Sequence, residues 1–301
     1  MVEQPASKSA GTGTLASVAF IGLFWGLNWP AVKFLLTEVG PFTVRAAALS
    51  LAAIVLGAYV MMRGGRLRPP LAEIPWMALT GLLSIFGFNV LVALGQVLTE
   101  TSKAAIIAYT MPALTAIFAV LLLGESMTAR RVLALIVAMT GIAVLAGENI
   151  SALLEAPLGP GIMLAAAVTW ALGTVAMKAG NFTLEPLPLT VWFLGFSGLA
   201  CWPFVAVFEG VPQAPSLPIL AVWLWHALLP MVLCYALWTG LVGRLPASVA
   251  AIATLMAPIV GVTSSVLLLG DPVSWQKVAA LTLILASIVL TFSPAPRRRM
   301  S

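Results

Sequence analysis

Along this chain, apolar residues come in long unbroken runs separated by short polar punctuation. Runs such as "ALTAIFAVLLLG" do not alternate in polarity, which argues against the strands of a membrane barrel, about 10 residues of alternating polarity each. Most runs approach the roughly 20 residues that a helix needs to cross a hydrocarbon core of about 30 Å. Ten such spans are predicted, over 15–36, 41–62, 73–98, 102–123, 129–147, 159–178, 187–208, 217–241, 247–269 and 274–292. The pattern therefore predicts an all-α integral membrane protein with short loops, flanked by a polar tail over 1–14 and a basic tail over 293–301. The first run is long enough to span and is followed by no small-residue cleavage site, so it is expected to stay as a helix.

Composition sharpens this picture. Of 301 residues, 61% are apolar and 8% are charged, against about 25% charged in a soluble domain. Little chain remains outside the spans, so any chemistry belongs in the membrane or at its edges. With ten spans, both termini and the even-numbered turns share a side, which holds Lys8, Arg63, Arg66, Arg68, Arg130, Arg131, Lys178, Arg244, Arg297, Arg298 and Arg299. The other side holds Lys33, Arg45, Lys103 and Lys277. Basic residues in short loops mark the cytoplasmic side, so both termini are expected there, in a bacterial inner membrane, with the turns 148–155 and 209–215 outside. The net charge of +5 and the terminal "RRR" call for anionic lipid rather than nucleic acid. Cys201 and Cys234 fall inside spans, where free Cys acts as a small hydrophobe. Neither a disulfide framework nor a metal site is expected.

The chain repeats itself. "WGLNWPAVK" at Trp25 returns as "WALGTVAMK" at Trp170, and "PFTV" at Pro41 returns as "PLTV" at Pro188. "TSKAAIIAYTMPALTAIFAVLLLGE" faces "ASVAAIATLMAPIVGVTSSVLLLGD", with Pro112 opposite Pro258 and Glu125 opposite Asp271. Three matches in order predict two five-helix halves, 15–147 and 159–292. An odd helix number sends the second half into the bilayer from the opposite face, and such inverted repeats place cargo near the midplane between halves that rock in alternating access.

On these motifs, over essentially the whole length, the chain resembles the EamA-type, ten-helix members of the drug/metabolite transporter superfamily. Within that family it is similar to bacterial exporters of amino acids, including aromatic and neutral ones. The resemblance implies two inverted repeats around a central cavity and export of a small molecule; it leaves the cargo open.

Candidate cargo contacts are polar or aromatic residues placed where lipid would not want them. Trp25 and Trp170 lie about ten residues into their spans, roughly 15 Å deep at 1.5 Å per residue, away from the interfacial belt that Trp favours. They are either large packing residues or two walls of one chamber. Asn28 lies near Trp25 on the same helix and reads as a helix-to-helix bond or a lining group. Asn89 and Gln96, two turns apart with Ser84 nearby, form a stripe that is either interhelical glue or a cavity wall. Pro112 and Pro258 are expected mid-helix, where each would free a carbonyl four residues back. Tyr109, Thr110, Met111 and Thr254 would border those openings, or the prolines would simply kink their helices. Tyr235 and Trp238 are expected to reach the chamber. His226, the single histidine, stands beside Trp223 and Trp225, which suggests an interfacial structural role, with proton coupling as the alternative. Lys33 and Lys178 end their helices, where they would snorkel to headgroups or attract anionic cargo.

Absent features separate function classes. All ten acidic residues fall in tails, turns or span ends, so coupling through a buried carboxylate is not expected. That leaves facilitated transport or exchange, unless His226 carries protons. No cluster of acid, base and nucleophile suggests an enzyme, and no phosphate-cradling glycine loop suggests ATP-driven pumping. No basic residue is read as mid-span, which favours neutral or zwitterionic cargo over phosphorylated cargo. The expectation is a cofactor-free inner-membrane exporter of neutral or aromatic amino acids, with the oligomeric state open and a monomer sufficient. A carrier of another small metabolite or drug-like compound is the alternative, and a membrane enzyme or structural protein a weaker one.

Overall fold

A computed structural model describes residues 12–98, 104, 107–147, 157–269 and 274–292. The predicted tails over 1–11 and 293–301, the turn at 148–155, Lys103 and Asp271 lie outside the described residues.

All regular elements among the described residues are helical. The helices are α1 (Thr12–Leu35), α2 (Pro41–Met62), α3 (Leu71–Leu98), α4 (Met111–Leu123), α5 (Ala129–Gly147), α6 (Leu158–Ala179), α7 (Pro186–Glu209), α8 (Leu217–Arg244), α9 (Ala247–Ala253), α10 (Met256–Leu269) and α11 (Trp275–Phe292). Among them α1, α2, α3, α6, α7 and α8 are long and apolar enough to cross a membrane. Large apolar side chains point outward along the bundle, with Ile54 at 68%, Leu121 at 72% and Leu199 at 68% exposure. A contiguous surface of this kind would aggregate in water and is satisfied by lipid. The molecule is a multi-pass membrane protein.

Punctuation residues set the ends. Pro41, Pro186 and Pro218 sit in the first turns of α2, α7 and α8 after extended residues Gly40, Glu185 and Ser216. A missing N–H costs nothing in a first turn. Gly124, at φ 64°, closes α4 in the left-handed conformation that glycine adopts without strain. Two helix starts are capped by carboxylates from elsewhere in the chain. Glu209 accepts from Phe42 N and Thr43 N at 2.8 and 2.7 Å, and Glu125 accepts from Ala247 N at 2.6 Å, where negative charge meets the positive helix terminus.

α2 packs along α7 and α5 along α11; α1 lies against α10 and α8, and α6 against α4 and α3. The two 28-residue helices α3 and α8 each contain a π-helical stretch, Leu82–Gly87 and Ala227–Cys234. Such wide turns re-aim the side chains that follow them, here Asn89 and Tyr235.

Pro112 and Pro258 do not sit mid-helix. Pro112 is in the first turn of α4, and Pro258 is the third residue of α10. Each follows a break, at Tyr109–Thr110 and at Thr254–Leu255. Rather than a kink with one freed carbonyl, each region restarts after a turn closed by short-range bonds. Thr110 and Thr254 each return a hydroxyl to the carbonyl three residues back, Ile107 at 2.8 Å and Ala251 at 2.7 Å.

Candidate functional site: an aromatic chamber between α1, α3, α6 and α8

A cavity with about 580 Å³ of space between atoms, part of it continuous with solvent, opens in the bundle. Its wall takes Trp25, Asn28, Trp29 and Val32 from α1, Phe88, Asn89, Val92 and Gln96 from α3, Trp170 from α6, and Met231 and Tyr235 from α8. Tyr109, Met111, Thr254 and Ala257 enter from the breaks before α4 and α10, and Arg45 from α2.

One side of the chamber is aromatic. Trp25 meets Trp170 edge-on at 5.2 Å and Tyr235 at 5.5 Å, and Phe88 lies 4.8 Å from Trp170. These spacings lie in the favourable range for ring pairs. Trp238, expected to reach the chamber, instead lies fully buried behind it, 5.8 Å from Trp25 and 5.3 Å from Trp170. Sequence could not tell a lining indole from a supporting one, because both are aromatic residues on an inward helix face.

The polar stripe on α3 does face inward. Asn89 is held by two bonds from Nδ2, to Ile85 O at 2.9 Å and to Tyr235 Oη at 2.7 Å. Gln96 donates weakly to Trp29 O at 3.4 Å, and among the described residues its Oε1 is buried with no hydrogen bond. Tyr109 Oη is buried in the same way, with the Trp29 ring 5.9 Å from its own. Ser84 sits apart from the cavity wall and returns its hydroxyl to Thr80 O at 2.6 Å. Trp25 donates its indole N–H to Pro230 O, in the π stretch of α8, at 3.2 Å.

Two residues are more enclosed than their sequence context suggests. His226 is fully buried, with Nδ1 2.5 Å from Asn28 Oδ1 and Nε2 3.2 Å from Arg45 Nη1. A guanidinium can only donate, so Nε2 accepts and Nδ1 carries the hydrogen that goes to Asn28. Proton uptake at Nε2 therefore requires that the Arg45 bond be given up. Arg45, read from sequence as one of the loop cations, is 1% exposed in the cavity wall, one turn into α2. Its signal was a lone cation inside the apolar "PFTVRAAALS", four residues past a helix start and easily assigned to the turn. Phe88, Val92, Met231 and Ala257 also line the chamber and carried no distinguishing signal.

The two lysines have matching duties. Lys33 Nζ donates to Gln96 O at 2.9 Å, and Lys178 Nζ donates to Val242 O at 3.1 Å and Gly243 O at 3.3 Å. Each cation ties the end of its own helix to the negative terminus of a neighbouring one, where a positive charge is favourable.

A chamber walled by aromatic rings, bordered by paired helix breaks and set in a lipid-facing bundle is the architecture of a membrane transport protein. The EamA-like transporter family profile matches residues 14–147 and again 157–293, and the chain belongs to this family. It is 30% identical, over 93% of its length and 91% of the relative's, to the "Uncharacterized transporter YvbV" of Bacillus subtilis (strain 168). It is 23% identical to a "Probable terminal-alkyne amino-acid exporter" of Streptantibioticus cattleyicolor, covering 82% of each chain. It is also 23% identical to a "Probable amino-acid metabolite efflux pump" of Salmonella typhimurium, covering 88% of this chain and 90% of that one. A solved crystal structure superposes with a TM-score of 0.74 over 91% of this chain and 96% of its own, at 19% identity, which shows the shared fold. The family and these names indicate a transporter.

Proposed function

We propose that this chain exports amino acids with neutral or aromatic side chains, or closely related metabolites, across a bacterial inner membrane by alternating access of the aromatic chamber. It does so as ten transmembrane helices in two inverted five-helix repeats, with both termini cytoplasmic. The observation that carries the reading is the mismatch inside the chamber. Rings of Trp25, Phe88, Trp170 and Tyr235 offer an apolar seat, while Arg45 Nε, Gln96 Oε1 and Tyr109 Oη are buried with no hydrogen bond among the described residues. Unmet buried polar groups cost about 1–3 kcal/mol each, and a zwitterion with a bulky side chain supplies both an apolar body and polar ends.

The repeat reading is supported by packing. Exchanging the two halves carries the contacts of α1 with α8 and α10 onto those of α6 with α3 and α4, and leaves the α2–α7 and α5–α11 pairs in place. The Lys33 and Lys178 ties correspond in the same way. Export of amino acids rests on the two exporter-named relatives and the basic split. With the termini cytoplasmic, Gln96, Val32 and Arg45 lie toward the outer ends of their helices, as suits a state that has released cargo outward.

Counterflow in liposomes holding the purified protein tests this. Radiolabelled phenylalanine or leucine should accumulate against an internal pool without an imposed proton gradient. Accumulation confined to phosphorylated or purely cationic solutes would reject amino-acid export and leave another metabolite as cargo.

A further inference from the structure

Resting on that reading, we infer that Arg45 is the carboxylate anchor of the chamber, held in place by a relay from Asn28 through His226. A fully buried guanidinium without an anion is among the most expensive groups a protein interior can hold. Among the described residues Arg45 has one hydrogen-bonding contact, the neutral Nε2 of His226, and its Nε is buried with none. Its ionisable neighbours Tyr235 and Cys201 are not carboxylates. Glu209, which caps the start of the same helix, is already committed to Phe42 N, Thr43 N and the Thr43 hydroxyl, the last at 2.6 Å. The guanidinium nevertheless lines the cavity, so the negative charge it lacks is one that a solute brings.

His226 and Asn28 determine how the fork is presented. Asn28 Oδ1 takes the hydrogen on His226 Nδ1, which leaves Nε2 as an acceptor for Nη1. One arm of the guanidinium is thereby fixed, and Nε with the remaining arm is free to form the paired bonds that carboxylates accept. His226 is a positioning residue, and the cargo class is the monocarboxylate with a bulky apolar body, whether or not it carries an amine.

The test uses the intact protein in liposomes and three solutes of one shape: phenylalanine, phenylalaninamide, which lacks the carboxylate, and 3-phenyllactate, which lacks the amine. Wild type should exchange phenylalanine and 3-phenyllactate at least about tenfold faster than the amide, the worth of one charge-assisted bond pair. Arg45→Gln should remove that preference, slowing the two acids by far more than the amide. Equal rates for acid and amide in wild type would overturn the anchor and leave amino-acid transport standing. Exchange of 3-phenyllactate but not phenylalanine would do the reverse, supporting the anchor and rejecting amino acids. Because the wild-type comparison needs no variant, the anchor stays testable even where Arg45→Gln folds poorly. His226→Leu should raise KM for the acids about tenfold with kcat little changed, and His226→Gln, which keeps an acceptor for Nη1, should restore part of it. Loss of kcat alone, with KM unmoved and no rescue, would remove the relay.

Discussion

Two helix crossings correspond through the repeat yet do opposite things. Where α1 meets α8, Asn28 reaches His226 across a polar gap that continues into the chamber. At the matching position of α6, where "WGLN" becomes "WALG", Gly173 lies so close to α3 that a Cβ would run into the backbone and side chain of Ser84. One crossing is held apart by side chains and the other is closed by the absence of one. Related sequence thus builds a polar crossing on one side and a close-packed seam on the other. The contacts that distinguish the two crossings sit at one aligned pair, Asn28 against Gly173.

The largest effect should come from forcing the closed crossing open. Gly173→Val inserts a branched side chain into backbone contact, and overpacking costs about 1–3 kcal/mol or more where neighbours cannot move. Membrane abundance and melting temperature in detergent should both drop, and by more than in Asn28→Val. Equal stability of the two would dissolve the contrast.

Next in size is the open crossing itself. Asn28→Ala leaves the His226 Nδ1–H without its acceptor, a loss of about 1–3 kcal/mol for a buried donor. Counterflow per folded protein should fall about tenfold, with melting temperature lowered less than in Gly173→Val. An unaltered rate would mean that this polar gap serves packing only.

Two indoles of the second half should differ less. Trp170 lines the chamber, while Trp238 supports it from behind. Trp170→Ala should therefore raise the KM for aromatic cargo more than it lowers melting temperature, and Trp238→Ala should do the opposite, with ring pairs each worth about 0.5–1.5 kcal/mol.

The smallest effect concerns the surface clamps that join the halves. Glu38 accepts from Ser216 N at 2.9 Å and from its hydroxyl at 2.7 Å, and Glu73 receives the same pair from Thr183, at 3.2 and 2.8 Å. The bonds from Ser216 hold the Glu38 carboxyl below its ordinary 4.5. A lowered carboxyl stabilises the folded form above the ordinary value and loses that stabilisation as pH falls through the lowered one. Melting temperature should accordingly decline on acidification below 4.5, slightly less steeply in Ser216→Ala, which gives up the side-chain bond.

Much of this was legible from sequence, for identifiable reasons. The six long helices followed from apolar run length, because lipid demands internally bonded backbone over its full thickness, whereas the expected spans 102–123 and 247–269 break at Tyr109–Thr110 and Thr254–Leu255. Trp25, Asn28, Asn89, Gln96, Tyr109, Trp170, Tyr235 and Thr254 were picked out because such groups avoid lipid, and all of them line the cavity. Arg45 was missed because charge near a span end reads as loop charge, and only packing reveals that α2 tucks it inward. The Asn28–His226–Arg45 chain joins three helices and has no local pattern. The π stretches in α3 and α8 left only an unusual length and Pro230 as traces, and the prolines of α4 and α10 looked the same whether they bend a helix or restart one.

The central claim is that the chamber between α1, α3, α6 and α8 is the path of the cargo. The most direct measurement places one thiol in it, as Val92→Cys in a chain whose native Cys201 and Cys234 are replaced by alanine. A membrane-impermeant maleimide should label this cysteine from both faces of the membrane, in right-side-out and in inverted vesicles, and saturating cargo should slow the labelling several-fold. Labelling from one face only, at a rate that cargo does not change, would contradict the account.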